Sequence, residues 1–443
     1  MNLALLDPFA VAQEYPETLT QTLSHGHSVC IEYNNKGVYL ASGLADGSIV
    51  IFDQETSGVV TVLKEHTRPI QSLSWSLCGR YLLSSSRDWK VNLWDLATKT
   101  VLHTVKFDGP VWVGKLHPKN HLLAVAALFE DKPMYIDFTR IEADTPYTTV
   151  LETLPLPLQD EDSDEGSRKK QKTEKHMTLV ACFHPSGEFV FTGTSKGWLN
   201  VFSTRTLAMV YSIKVANSNI KHIMVSTLGK KIGVNCSDRV IRQYQVRLAL
   251  LQQLDNGSEN GKHEDESDSD SEPLELDHKF QDVVNKLQWN AVSFNFNAEY
   301  VIASTYGSAA HDVYMWETSM GSLVKILEGP KEELVDVAWN YNKCAISATG
   351  IDSGTIYVWS IVIPQKWSAL APDFVEIEEN IEYEESEDEF DIVPDEEINQ
   401  RLLNEEDEEV DILTRETVDA RGFSMAETFV IPVDYEVDYG DII

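Results

Sequence analysis

A histidine, a serine and an aspartate within one repeat of this chain have the residue types of a catalytic triad: His66, a serine at Ser84 or Ser86, and Asp88, with Trp94 close behind. In such a triad the imidazole takes the hydroxyl proton while the carboxylate orients the ring. The local sequence argues for a different use. Neither serine sits in the glycine-flanked elbow that exposes a nucleophile. A buried imidazole, hydroxyl and indole N–H must each find a partner, and a turn aspartate can accept from the histidine. His66, Ser84, Asp88 and Trp94 are therefore expected to form a hydrogen-bonded structural set rather than an active site.

No other constellation points to catalysis. Phosphate-loop, zinc-protease and dinucleotide-binding patterns are absent. The histidines are dispersed, and His117-Pro118 and His184-Pro185 fall between strands, where turn capping is expected. The cysteines Cys30, Cys78, Cys182, Cys236 and Cys344 form no CxxC pair. They read as small thiols in a reducing compartment, and no metal is expected. No catalytic or cofactor-binding residue is assigned, and the chain is not expected to be an enzyme. Trp89 and Trp198 follow hairpin-turn residues, where an aromatic either packs on the neighbouring repeat or meets a partner. The basic run Arg168, Lys169, Lys170 and Lys172 is a candidate nuclear-import signal or DNA-phosphate contact. The stretch Asp265 to Glu272 resembles an acidic kinase substrate.

These residues must be positioned by repeating elements. An apolar strand that ends in an aromatic or apolar residue recurs at Phe52, Trp94, Ile136, Phe202, Tyr244, Trp316 and Trp359. The spacings are 42, 42, 66, 42, 72 and 43. The two long intervals contain polar, low-complexity stretches, expected to be disordered insertions at about 156–177 and 254–278. With those removed, seven repeats of 40 to 45 residues fit the four-stranded blades of a WD40 β-propeller. Tyr39 to Asp53 reads as strand, Asp46-Gly47 turn, strand, and Tyr81 to Asp95 and Phe189 to Phe202 repeat it. The His–Ser–Asp–Trp set is then the hydrogen-bonded set of a WD repeat. Closing a ring removes free sheet edges, and Thr18 to Leu23 is expected to supply the last strand of the final blade. The fold class is all-β: a seven-bladed WD40 β-propeller over residues 1–363, with a mostly extended acidic C-terminal arm over 364–443.

Charge separates arm from ring. The chain carries a formal net charge of −35. Residues 364–443 hold 27 acids against 4 bases, a net of −23, and 255–277 hold 10 acids against one lysine. The rest of the ring is near neutral, so a phosphate backbone would have to meet local basic patches. The arm cannot bury enough apolar surface to offset its ordering entropy. It keeps Trp367, Phe374, Tyr383, Phe390 and Ile392 as anchors for ordering on basic grooves of partner proteins. No apolar run reaches 18 residues, so no membrane-spanning helix is expected, and Met1 to Pro8 lacks the pattern of a secretory signal.

Lys366 to Glu385, Glu389 to Ile392, Met1-Asn2-Leu3, Asp46 to Asp53 and Gly321 to Gly329 closely resemble the retinoblastoma-binding-protein-5 family. That family is the WD-repeat subunit of COMPASS/MLL-type histone methyltransferases, and the chain resembles a fungal member. The resemblance implies an activation segment containing Trp367, Phe374, Glu376, Glu379 and Asn380, laid between the SET-domain catalytic subunit and the SPRY-domain subunit. It implies docking on the SPRY subunit through Glu382, Tyr383, Glu384, Glu385, Glu389, Phe390, Asp391 and Ile392. It implies binding of a second WD-repeat subunit through Glu408, Glu409, Val410, Asp411 and Ile412. The expected role is a nuclear, non-catalytic scaffold and activator of histone-three lysine-four methylation on the nucleosome. No cofactor, membrane or small-molecule substrate is implied. Two alternatives are a WD-repeat substrate receptor of a ubiquitin ligase and an acidic histone chaperone. The first is disfavoured because Leu96-Ala97, with no adaptor-contacting arginine, follows Trp94-Asp95. A propeller hydrolase would need polar residues recurring on the inner strands.

Overall fold

A computed structural model describes residues 15–129, 132–142, 145–151, 177–257, 272–282, 286–307, 312–340 and 342–361, together with 396, 399–400 and 402–403. The side chains of 141–147, 256 and 257 are not described. Seven four-stranded antiparallel sheets follow one another along the chain. Blades 1 to 6 occupy 28–64, 70–106, 111–150, 178–214, 220–280 and 288–327. Blade 7 takes three strands from 334–360 and its outermost strand, Thr18–Leu23, from the start of the described chain. That strand runs antiparallel to Ile356–Ser360, from Thr18 opposite Ser360 to Leu23 opposite Ile356. The expected ring closure is thus observed.

The apolar strands form blades because each sheet is covered on both faces. In blade 1 the strand Ser48–Asp53 (Ser-Ile-Val-Ile-Phe-Asp) is buried along its first five residues. Both sides of the pleat are apolar, and each side feeds a different core. Seven hydrophobic clusters result, one at each boundary between adjacent blades. Ile49, Ile51 and Leu63 of blade 1 pack with Ile70, Leu73, Leu82 and Trp94 of blade 2. On the other side Leu40, Val50 and Phe52 meet Leu23, Ile356 and Val358 of blade 7.

A four-stranded blade turns alternately on two faces. The lower face carries the turn after each inner strand. There the first residue past the strand caps the turn: Asn34 Oδ1 accepts from Tyr39 N at 3.0 Å and Ser76 Oγ from Tyr81 N at 2.9 Å. His117 and His184 extend this device across blade boundaries. His117 Nδ1 accepts from Asn120 N at 3.0 Å, so Nε2 carries the proton and donates to Gly187 O of blade 4 at 3.0 Å. His184 Nδ1 likewise accepts from Ser186 N, and Nε2 donates to Gly229 O of blade 5. Burial pushes both imidazoles below their ordinary pKa and keeps them neutral. The expected capping role is observed.

Two boundaries differ from the sequence reading. The insertion placed at about 254–278 is narrower, because the helix Leu248–Gly257 covers its start and the outer strand Leu274–Phe280 covers its end. Leu251 and Leu274 are fully buried in the blade 4–5 core, and Asp255 accepts from Ser203 Oγ at 3.0 Å. The polar residues of that strand, Glu275, Asp277, His278 and Lys279, made its sequence look like low-complexity chain. At the other insertion, Met177 O accepts from Ser195 N, so Met177 belongs to blade 4. Within the arm, expected to be mostly extended, residues 396, 399–400 and 402–403 are helical.

Candidate interaction surfaces of the ring

The four-residue set of blade 2 is assembled as expected. Asp88 only accepts, so His66 Nδ1 donates to Asp88 Oδ2 at 2.8 Å. Trp94 Nε1 donates to Ser84 Oγ at 2.9 Å, and Ser84 Oγ lies 2.8 Å from His66 Nε2. Ser84, not Ser86, is the member; Ser86 Oγ donates instead to Arg68 O. Ser84 is fully buried, its hydroxyl shared between two rings, so no substrate carbonyl can reach it. Burial works against the Asp88 charge, but bonds from His66, Thr67 N and Lys90 N outweigh it and hold the carboxyl below its usual range. The set therefore ties the loop entering blade 2 to its upper-face turn at 87–90, and sets the position of Arg87 and Trp89.

A second feature was not legible in the sequence. Near the upper end of the inner strands a β-bulge interrupts the ladder: pairing skips Val29, Gln71, Trp112, Leu179 and Lys221 in blades 1 to 5. A bulge leaves its extra residue unpaired and re-aims the side chain. Two of these residues meet a ring or cation of the adjacent blade. Arg87 of blade 2 lies over the Trp112 ring at 5.9 Å, and Lys221 lies over Tyr306 of blade 6 at 4.8 Å. Burial lowers the Lys221 pKa.

The inner strands also bring distant charges together. Lys115 Nζ of blade 3 reaches Glu32 Oε2 of blade 1 at 2.5 Å and Leu73 O of blade 2 at 2.9 Å. Asp336 of blade 7 accepts from Ile31 N of blade 1 at 2.9 Å. Burial pushes the Asp336 carboxyl up to about 6 and the His222 imidazole down to about 4. These groups lie about 40 to 300 residues apart in sequence and span three blade boundaries, so they read as a clasp on the ring. Cys30 and Cys236 are buried, and burial raises the pKa of these thiols and of Cys182 and Cys344, which disfavours thiolate chemistry.

The upper face of blades 4 and 5 is basic. Lys214, Asn217, Ser218, Asp238 and Arg242 line a shallow recess there. Arg242 grips Asp238 through both nitrogens, at 3.2 and 2.5 Å. Arg239 occupies a left-handed turn position beside them, at φ 72°.

The remaining residues singled out from the sequence lie outside the described residues. They are Trp367, Phe374, Glu376, Glu379 and Asn380; Glu382 to Glu385 and Glu389 to Ile392; Glu408 to Ile412; and Arg168, Lys169, Lys170 and Lys172. Of the two turn tryptophans, Trp198 is half-buried and Trp89 is 44% exposed.

Comparison with known proteins agrees with this architecture. The family model for the WD domain, G-beta repeat, matches residues 17–53 and 57–95. The COMPASS component SWD1 of Saccharomyces cerevisiae is 43% identical over 451 residues, covering 98% of both chains. The Set1 complex component swd1 of Schizosaccharomyces pombe is 46% identical, covering 88% of this chain and 90% of its own. The retinoblastoma-binding protein 5 homolog of Drosophila melanogaster is 34% identical over 95% of this chain and 78% of its own. Among solved structures, the β-propeller domain of Myceliophteria thermophila Cps50 (Swd1) superposes with a TM-score of 0.67 at 41% identity. It covers 78% of this chain and all of its own.

Proposed function

This chain belongs to the family of the COMPASS component SWD1 and retinoblastoma-binding protein 5, and from that premise we propose that it is a non-catalytic scaffold and activator in a COMPASS-type, nuclear histone-three lysine-four methyltransferase complex. The observation that carries the reading is the span of the similarity. It runs over 98% of both chains, and so takes in the acidic arm as well as the ring. WD repeats alone would support only a fold.

In this reading the arm bridges three partners. Trp367, Phe374, Glu376, Glu379 and Asn380 lie between the SET-domain subunit and the SPRY-domain subunit. Glu382 to Glu385 and Glu389 to Ile392 dock on the SPRY subunit, and Glu408 to Ile412 on a second WD-repeat subunit. Carboxylates steer the arm to basic grooves, and the apolar side chains supply the desolvated contact. Activation is a population shift: the arm favours the competent SET conformation by as much as it binds that state more tightly. The ring meets the nucleosome. Lys214, Lys221, Arg239 and Arg242 on the upper face of blades 4 and 5, and the run Arg168 to Lys172, supply cations for its DNA phosphates. The buried Ser84 and the hydrogen-bonded use of His66 support a role without catalysis.

Reconstitution with the SET and SPRY subunits tests this. Deleting Lys366 to Ile392 is expected to abolish stimulation of methyl transfer on nucleosomes while the ring stays folded by circular dichroism. Phe374→Ala is expected to lower stimulation by about tenfold or more, the loss of one central anchor. Undiminished stimulation by the deletion would overturn the activator role.

A further inference from the structure

We propose that the lower face between blades 5 and 6, built from Leu228, Phe296 and Met320 among carboxylates, is a docking site for a basic peptide segment of a partner protein that carries an apolar anchor. The site lies on the opposite face from the basic recess of blades 4 and 5.

Three turns of that face are tied at one point. Lys231 N donates to Ser226 Oγ at 3.0 Å and closes the turn that holds Leu228. Lys231 Nζ donates to Ala298 O at 3.1 Å and to Thr318 Oγ1 at 2.8 Å, and Thr318 Oγ1 donates to Ala298 O at 2.6 Å. His278 Nε2, on the outer strand Leu274–Phe280, donates to Ser319 O at 3.0 Å. Leu228 is three residues from this knot, and Phe296 and Met320 are two residues from it. Three residues of chain span at most about 10 Å, so the three Cα positions share one patch. Met320 is 78% exposed, Leu228 56% and Phe296 45%. Neighbouring apolar groups left in water mark interaction sites, whereas scattered single ones do not.

Other blades show that the turns do not need these side chains. In the turn between the third and fourth strands, a left-handed residue is Ser57, Lys99 and Leu207 in blades 1, 2 and 4, and the residue before it is Thr56, Thr98 and Thr206. There the hydroxyl serves the turn: Thr56 Oγ1 donates to Asp53 Oδ2 at 2.7 Å and Thr98 Oγ1 to Asp95 O at 3.4 Å. In blade 6 the left-handed residue is Gly321, and Met320 before it has no hydroxyl to give. Leu228 likewise precedes the left-handed Gly229, where blades 1, 2, 4 and 6 have Lys36, Cys78, Ser186 and Asn297 before Gly37, Gly79, Gly187 and Ala298.

Charge selects the occupant. Around the knot Arg247 pairs with Glu275 at 2.5 Å, Lys325 with Glu17 at 3.5 Å and Arg205 with Asp255 at 3.5 Å. That leaves Glu272, Asp277, Glu299 and Glu317 against Lys230 and Lys231, and Lys231 is held within the knot. Residues 258–271, which join Gly257 to Glu272 and are not part of the site, add six acids against one lysine. Basic side chains then meet the carboxylates, while one apolar side chain meets Leu228, Phe296 and the adaptable Met320. An acidic segment is repelled, and a second copy of this chain brings its own acids to the same place.

The test uses the full chain at moderate salt and a short fluorescein-labelled peptide of Lys, Arg and Ser with one central Phe, read by anisotropy. It is run beside the same peptide with Ser in place of Phe. Basic peptides are also drawn to the acidic arm, so the readout is the ratio of the two affinities. The wild-type chain is expected to prefer the Phe peptide about tenfold. Met320→Thr combined with Leu228→Ser, residues that other blades use, should remove the preference and leave the thermal midpoint unchanged. Glu299→Lys, at an exposed position, should lower the preference about threefold or more. Equal affinities for the two peptides on the wild-type chain, or an unchanged ratio in both variants, would overturn the proposal. So would a dimer by light scattering that the double variant converts to a monomer, since the occupant would then be a second copy. No methyltransferase subunit enters the readout, so its failure leaves the scaffold reading untouched.

Discussion

Blades 1 and 2 are written in one grammar and solve the same turn in opposite ways. In blade 1 the turn is Asp46-Gly47-Ser48, held locally: Asp46 Oδ1 accepts from Ser48 N at 2.8 Å. The loop leading to blade 2 presses on it so closely that a Cβ on Gly47 would stand 2.4 Å from His66 O and 3.0 Å from Arg68 O. In blade 2 the turn carries Trp89, so the loop that follows must leave room for a side chain, and the turn is held from below by His66 through Asp88. One turn is a packing surface for its neighbour. The other presents a ring to solvent and is braced by a buried hydrogen-bonded set.

That contrast can be broken by exchanging its terms. The largest effect is expected from Gly47→Ala. The clash is with backbone, which cannot swing away, and the left-handed φ adds strain, so the loss should be about 3 kcal/mol in chemical denaturation. Next comes the brace. Asp88→Ala leaves His66 Nδ1–H and two backbone N–H groups without their acceptor and should cost about 2 kcal/mol by the same measurement. Trp89→Gly sits at the other end, with a gain of up to about 1 kcal/mol from relieved strain. A loss as large as that of Gly47→Ala would show that Trp89 is a packing residue and that the contrast is false.

Acid sharpens the comparison further. Both turn aspartates are held below the ordinary carboxylate range, Asp46 chiefly by its bonds from Ser48, and Asp88 by bonds from His66 and backbone N–H groups that outweigh burial. A depressed folded pKa means that the unfolded chain takes up its proton first as pH falls. Stability from these groups is therefore present above about pH 4 and is lost on going lower. Asp88→Asn should flatten the fall more than Asp46→Asn, because Asp88 is the more buried of the two and joins two elements. Denaturation midpoints measured from pH 5 down to pH 3 would decide it; a larger flattening in Asp46→Asn would reverse the assignment of local and braced turns.

The comparison also marks how much of the site the amino-acid order disclosed. His66, Ser84, Asp88 and Trp94 could be picked out because their spacing repeats a known pattern, but Ser84 and Ser86 share one face of their strand, and only the bonds from Trp94 and to His66 single out Ser84. Trp89 carried a readable signal as well, an indole where the turns of blades 1 and 4 have glycine. Trp112, Phe129 and Arg87 carried none. They are 17 to 42 residues apart, in two blades, and meet only because a bulge turns Trp112 out of its ladder. The clasp of Glu32, Lys115 and Asp336 was hidden for the same reason. The misplaced insertion shows the converse error: an outer strand with charged residues facing water has the composition of loose chain, although Leu274 and Phe280 anchor it.

The amino-acid order alone determined the repeat number, the all-β class, the structural set of blade 2 and the resemblance to one family, because strand period, turn residues and acidic segments with apolar anchors are local signals. The tertiary structure decided which inner-strand residues leave their ladder, which turn is braced and which is pressed upon, and which charges meet across the ring. Those outcomes depend on bulge placement and on the distance between neighbouring blades, and both emerge only when seven sheets close on one another.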